Sequence, residues 1–345
     1  MNSVLLNGDA LARLRELLSE SVTAIVTDPP YALEFMGKGW DKVLPSVDIW
    51  RECLRVLKPG GVLLAFGGTR TFHRLTCAIE DAGFEIHDCL SWLYGSGFPK
   101  SLDIGKAVNG WSGYGTALKP AWEPIIFARK PTDGTFAANA LTYGVAGINV
   151  NGCRIGNEER PLMVCTDTVV AATAMSGRST GATSSGELTT QGRWPANVVH
   201  DGSAEVLSCF PDAPGQIARG KAGDGRETAN VYGAYKHGGG DSHIPREDDT
   251  KSAARFFYCA KASKSDRGEG NTHPTVKPVE LMRWLVRMVK MPTGTLVLDP
   301  FAGSGSTGVA CAAEGVDFLG IEQETAYIEI ARQRLLAAGV NPAVW

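Results

Sequence analysis

The chain has 345 residues, too many for one small domain, and 43% of them are apolar, an ordinary share for a protein that buries a substantial core. No apolar run is long enough to cross a bilayer and the first residues carry no basic-then-apolar leader, so a cytosolic protein is expected. The formal net charge of −3 gives no overall attraction to a polyanion, and the eight scattered cysteines have no close pairing that would suggest a zinc site or a redox pair.

The first 130 residues alternate between two patterns. A short apolar run at 4–6 closes at Asn7-Gly8-Asp9, and Leu11, Leu14, Leu17 and Leu18 then recur at helical spacing. Residues 24–27 read as a buried strand, 47–57 as a helix ended by Lys58-Pro59-Gly60-Gly61, 62–66 as a second buried strand and 71–81 as a helix closed by Gly83. Further sheet material follows at 85–93 and 124–128. Continuous apolar strands separated by helices predict an α/β fold with a parallel sheet covered on both faces.

From 131 to 252 the character changes. The stretches 175–192 and 233–242 are rich in Gly, Ser and Thr and show little periodicity, which reads as an irregular inserted lobe with islands of order at 147–155 and 193–200. Regularity resumes at 255–259. A helix over 279–290 has Pro278 near its first turn, and a strand at 295–298 precedes a glycine loop and a helix through 313. A strand at 318–321 then ends at Glu322, and a last helix covers 325–338. Three segments result: 1–130, 131–252 and 253–345.

Two loops carry the chemistry. After the strand at 295–298 comes Asp299-Pro300-Phe301-Ala302-Gly303-Ser304-Gly305-Ser306-Thr307-Gly308. Glycines let backbone pass close to a ligand at a helix N-terminus, and Glu322 stands where a carboxylate would accept ribose hydroxyls. The spacing alone does not choose between NAD and S-adenosylmethionine. Asp299-Pro300-Phe301 helps to choose, because an acid beside the loop repels a pyrophosphate and can face a cationic, phosphate-free cofactor, and Phe301 can pack against its apolar parts. The second loop, Asp28-Pro29-Pro30-Tyr31, ends the strand at 24–27. Asp28 and the Pro29 carbonyl can accept the N–H bonds of an exocyclic amine, whose lone pair is otherwise delocalised into its ring. Two prolines fix that carbonyl's direction, and Tyr31 offers a face on which an extruded base can stack. Together the loops indicate methyl transfer from S-adenosylmethionine to an amino nitrogen.

At these residues the chain resembles the DNA amino-methyltransferases, specifically the circularly permuted β class. There the catalytic motif precedes the recognition region and the cofactor loop, as Asp28-Pro29-Pro30-Tyr31, His273-Pro274-Thr275-Val276-Lys277-Pro278 and Asp299 to Gly305 are ordered here. The strings Phe35-Met36-Gly37-Lys38-Gly39-Trp40-Asp41, Tyr94-Gly95-Ser96-Gly97-Phe98-Pro99-Lys100 and Arg193-Trp194-Pro195-Ala196-Asn197 are similar to phage and prophage adenine enzymes. The resemblance implies a Rossmann-like methyltransferase core with an inserted recognition lobe at 131–252, between a catalytic half and a cofactor-binding half. It also implies a site-specific enzyme acting on adenine N6 in double-stranded DNA, alone or beside a restriction nuclease, and the family often forms homodimers.

Carried over by position, Asp299, Phe301, Ala302, Gly303, Ser304 and Gly305 would line the cofactor. Glu322 would hold its ribose, Gln323 would also contact the cofactor, and Asp9 would lie at its adenine, with Asp9 equally suited to cap the helix after it. Thr275 and Lys277 would close over its methionine end, although Lys277 also suits a surface position before a helix. Lys38, Trp40, Arg193, Trp194 and Asn197 are candidate DNA contacts, and Trp194 could instead anchor the lobe. The basic stretch with Lys261 and Lys264 reads either as a phosphate contact or as a solvated face. No metal site is indicated. The rival readings are a cytosine-N4 enzyme, which more often carries Ser in place of the first Asp, and an enzyme methylating an RNA or protein amine. A non-catalytic DNA-binding protein would require a broken motif, and an NAD oxidoreductase leaves Asp28 to Tyr31 without a role.

Overall fold

The computed structural model describes residues 1–33, 41–99, 101–157, 160–165, 182–212, 216–217, 227–230, 233–236, 244–245, 252–261 and 263–345. Lys38 and Trp40 lie outside the described residues, as do the side chain of Lys264 and much of the Gly- and Ser-rich sequence between 166 and 251. The described chain divides into two compact units, one of Met1–Cys153, Pro195–Val206 and Phe257–Trp345, the other of Arg154–Trp194 and Leu207–Phe256.

The first unit is built on a ten-stranded sheet. Its elements in chain order begin with β1 (Ser3–Asn7), α1 (Ala10–Glu16), β2 (Val22–Thr27), α2 (Val47–Val56), β3 (Leu57–Phe66), α3 (Phe72–Asp81), β4 (Glu85–Leu93), β5 (Trp122–Arg129) and α4 (Phe136–Tyr143). They continue with β6 (Val198–His200), β7 (Tyr258–Cys259), α5 (Val279–Val289), β8 (Leu296–Asp299), α6 (Ser306–Glu314), β9 (Asp317–Glu322), α7 (Thr325–Ala337) and β10 (Ala343–Val344). The strand order is β7-β6-β4-β5-β3-β2-β8-β9-β1-β10. At its centre β8 pairs in parallel with β2, placing Val297 opposite Ala24 and Leu298 opposite Ile25. Strands more than 270 residues apart in sequence therefore lie side by side, and the two chemistry-bearing loops leave the same edge.

Alternation along the strands divides the core. Val62, Leu64 and Phe66 of β3 face one apolar cluster with Leu281, Trp284 and Leu285 of α5. Leu63 and Ala65 face the other, with Trp50 and Cys53 of α2 and Leu75 and Ile79 of α3. Trp284 is fully buried and stacks on Tyr258 at 5.0 Å. We expect Trp284→Ala to lower unfolding free energy by about 3–5 kcal/mol, read from denaturant midpoints. A loss typical of an exposed site would place Trp284 outside the cooperative core.

The structure departs from the expected all-parallel sheet at β5, which runs antiparallel to both β3 and β4. A parallel return needs a crossover, and among its described residues the segment between β4 and β5 holds only a three-residue helical turn, Ile104–Lys106. The helix α1 stops at Glu16, and Leu18, which its periodicity included, is 79% exposed. A helix also forms at α4, inside the stretch expected to be irregular. Thr135 caps it through Ala138 N–H, and Gly144 ends it in the left-handed conformation.

The second unit contains the antiparallel pairs Arg160–Cys165 with Ala182–Thr189, Glu227–Asn230 with Gly233–Lys236, and Gln216–Ile217 with Ile244–Pro245. Residues 131–153 and 195–206 of the expected inserted segment belong to the first unit. Among the described residues no helix is long and apolar enough to cross a membrane.

Candidate active site

A cavity of about 1120 Å³ opens at the carboxyl ends of β2, β3, β8 and β9 in the first unit. It is lined at one end by Asp28, Pro29, Pro30 and Tyr31, and at the other by Asp9, Glu322 and Gln323. Thr275, Lys277, Asp299, Phe301, Ala302, Gly303 and Ser304 also line it. Gly305 does not; it caps α6 with φ of +79°, and a Cβ there would meet Ala331 of α7 at 3.0 Å. Arg193, Trp194, Asn197 and Lys261 are not among the lining residues.

The catalytic loop is held mainly from outside its own motif. Oδ1 of the buried Asp41 accepts the N–H groups of Tyr31 at 2.8 Å and Ala32 at 3.0 Å. Ala32 sits at φ +55°, a conformation unfavourable for a residue with a side chain, and those bonds offset its cost. The Thr71 hydroxyl donates to the Tyr31 carbonyl at 2.8 Å. Gly68 leaves room for the ring, since a Cβ there would lie 3.1 Å from Tyr31 Cδ2. The Tyr31 hydroxyl donates to Asp28 Oδ1 at 2.7 Å and lies 3.2 Å from Glu123 Oε2. Burial, with the nearby charges of Asp28 and Glu123, holds the Tyr31 phenol well above its ordinary range, so it stays protonated.

Lys277 meets this group rather than standing exposed before its helix. Its ammonium bonds Asp28 Oδ2 at 2.7 Å and Tyr31 OH at 3.1 Å, and pairs with Glu123 Oε2 at 3.2 Å. Burial disfavours the charge, but Asp28 and Glu123 outweigh it and raise the Lys277 pKa. Neither Glu123 nor Asp41 belongs to a motif with a chemical reading of its own. Each had one sequence signal: Glu123 is a charge at the entry of an apolar strand, and Asp41 ends the string Phe35 to Asp41 that is similar to phage and prophage enzymes.

At the other end, Gly303 takes φ of +52° and donates to Glu322 Oε2 at 2.9 Å, while Glu322 Oε1 accepts from Glu324 N–H at 2.8 Å. Burial raises the Glu322 pKa against those bonds. A Cβ on Gly303 would lie 3.1 Å from the His273 ring, so only glycine leaves this edge open. Burial lowers the His273 pKa. Arg267, from the basic stretch, donates to the carbonyls of Asn271 and His273 and so clasps the loop before α5. Asp9 caps α1 through Ala12 N–H at 3.0 Å and also lines the cavity.

Asp299 joins the halves. Its carboxylate accepts from Thr27 Oγ1 at 2.7 Å, from Phe301 N–H at 3.1 Å and from Thr307 Oγ1. Burial pushes it up to about 6 against those bonds. An acid whose pKa rises on folding binds more protons folded than unfolded between the two values, so its contribution to stability falls as pH rises from about 4 to 6. Thermal midpoints of the wild type should therefore fall relative to Asp299→Asn across that window. A constant difference would return Asp299 to an ordinary carboxylate.

The candidate DNA contacts have partners of other kinds. The Arg193 guanidinium lies 4.6 Å over the Phe256 ring, and that of Arg154 lies 5.6 Å over Trp194, which is 65% exposed. Asn197 donates to Asp88 Oδ1 at 3.1 Å. Lys261 is exposed.

The cavity can take a nucleoside-sized molecule at the Glu322 end and a planar amine at the Asp28 end. The sequence matches the model of the N6/N4 DNA methylase family over residues 22–333. It is 29% identical over 199 residues to the type II methyltransferase M.HindIII of Haemophilus influenzae, across 42% of this chain and 64% of that enzyme, less than two thirds of its length. It is 25% identical over 341 residues to the DNA adenine methyltransferase YhdJ of Escherichia coli, across 96% of this chain and 82% of that protein. The fold is like that of the PvuII DNA methyltransferase, described as cytosine-N4-specific, with TM-score 0.51, 15% identity and coverage of 97% and 86% of the two chains.

Proposed function

This chain belongs to the N6/N4 DNA methylase family, and from that premise we propose that it transfers a methyl group from S-adenosylmethionine to the N6 amine of an adenine in duplex DNA. The observation that carries the proposal is the meeting of Asp28, Pro29 and Tyr31 with the Gly303 loop and Glu322 around one cavity. YhdJ supports adenine by its name and by a match along most of both chains. Asp28, in place of the serine more frequent in cytosine-N4 enzymes, supports it from the sequence.

The residues fit the cofactor. Backbone at Gly303 can approach closely, Glu322 presents a carboxylate at a strand end, and Phe301 gives an apolar wall. When bound, S-adenosylmethionine supplies an electrophilic methyl group. Asp28 and the Pro29 carbonyl accept the amine's N–H bonds and so draw its lone pair out of conjugation. Tyr31 supports the face of the extruded base. Asp41 and Thr71 hold the loop at that geometry before the base arrives. The recognition region is proposed to include the second unit, where exposed Trp194 is the DNA contact to test first; exposed Lys261, in the first unit, is a separate candidate.

The test is mass spectrometry of nucleosides from unmethylated plasmid DNA incubated with the protein and S-adenosylmethionine. N6-methyladenine is expected. N4-methylcytosine would keep the mechanism and change the base. No methylated nucleoside, with cofactor binding shown separately, would overturn DNA as the substrate.

A further inference from the structure

Asp28 has both oxygens engaged: Oδ2 accepts from Lys277 Nζ at 2.7 Å, and Oδ1 from the Tyr31 hydroxyl at 2.7 Å. Each oxygen keeps a second lone pair, but an arriving amine N–H shares the carboxylate's charge with the donor already bound there, and gains the whole of it when that donor moves away. Both donors have the same second acceptor, Glu123 Oε2, at 3.2 Å from each. We propose that Glu123 is a positioning residue of the reaction, receiving Lys277 and the Tyr31 hydroxyl while the amine takes their place on Asp28. The proposal deepens the reading of Asp28 as the amine's acceptor and rests on it.

The surroundings make such a receiver necessary. The Lys277 side chain is 9% exposed, and its ammonium lies 4.8 Å over the Phe66 ring and 5.3 Å over that of Tyr31. Solvent has little access there to a displaced ammonium, and a buried charge without an acceptor is strongly disfavoured. The three N–H donors of Lys277 match three partners: Asp28, Tyr31 and Glu123. Moving weight from one carboxylate to the other breaks no covalent bond and moves no proton. It also keeps one cation between two anions.

Topology explains the placement. Because β5 runs antiparallel to β3, its first residues reach the edge where β2 and β3 end, and Gly67 N–H donates to the Pro124 carbonyl at 3.0 Å. A parallel strand in this place would begin at the opposite edge.

The test compares wild type, Glu123→Gln, Glu123→Asp and the double variant Glu123→Gln/Lys277→Met in steady-state methylation of a target duplex, with cofactor affinity measured by calorimetry. Glu123→Gln leaves Lys277 paired to Asp28 alone and should lower kcat by about 10- to 100-fold, as a reacting group held out of place does. Cofactor affinity should be largely unchanged. Glu123→Asp should keep most of the rate, and the double variant should turn over faster than Glu123→Gln because the amine's competitor is gone. A Glu123→Gln enzyme at the wild-type rate, a double variant slower than the single, or joint loss of cofactor binding and turnover would each overturn the proposal. A wild type that methylates no base would count against the DNA-methylation reading instead. The exchange is then read crystallographically with adenosine at the Asp28 end, where Lys277 drawn onto Glu123 supports it and Lys277 unmoved on Asp28 overturns it.

Discussion

Replacing Asp28 by alanine is expected to reduce methyl transfer by about 10³-fold while leaving S-adenosylmethionine affinity within a small factor of wild type. The separation follows from how the loop is built. The turn after Asp28 is held by Asp41, which binds the Tyr31 and Ala32 N–H groups, and by Thr71, which binds the Tyr31 carbonyl. None of these contacts involves the Asp28 side chain, so its loss removes one hydrogen bond of the Tyr31 hydroxyl, which keeps Glu123 and Lys277, and should leave the turn in place. Glu322 and Gly303 hold each other without it. What disappears is the proposed charged acceptor for the amine. Turnover and calorimetry on the same preparation decide the matter. Full turnover in the variant would remove Asp28 from the chemistry, and joint loss of binding and turnover would make it a structural residue.

Glu322→Ala should do the reverse, weakening cofactor binding first. Each Glu322 oxygen accepts a backbone N–H, from Gly303 and from Glu324, so truncation removes the proposed ribose acceptor and leaves two N–H groups to find other partners. A hydrogen bond to a charged group contributes about 1.5–3 kcal/mol, which raises the cofactor Kd roughly 10- to 150-fold. Glu322→Gln should fall between, because a carboxamide offers one acceptor atom where the carboxylate offers two. Turnover at saturating cofactor should recover much of the wild-type rate in both variants. A Kd unchanged by Glu322→Ala would move the ribose elsewhere in the cavity.

The centre of the sheet was readable from the chain because β2, β3, β8 and β9 are apolar runs bounded by turn residues, and because both loops carry side chains whose chemistry is recognisable from the string alone. The direction of β5 was not, since 124–128 reads as a strand whichever way it runs and only the connection before it decides. Glu123 stayed hidden for a related reason. Its partner Lys277 lies more than 150 residues away in sequence, and no local period records a contact made by the return of a strand. Lys277 was found by its motif, but its place against Asp28 depends on where the loop before α5 lies, which Arg267 helps fix through main-chain carbonyls. The helix α4 was legible in principle from Thr135 and Gly144, but the loop-like composition of its surroundings outweighed them.

The pairing of β2 with β8 has a consequence for how the molecule comes to exist. During synthesis β2 is made early, but its neighbour β8 follows only after some 270 further residues, so an apolar strand waits with one side unpaired. Contacts of such separation delay folding and leave the growing chain open to misassociation. The seat for the methyl donor closes late, and a nascent polypeptide that already displays Asp28 to Tyr31 cannot act. The cavity lacks part of its wall until Asp299 to Ser304 and Glu322 have followed.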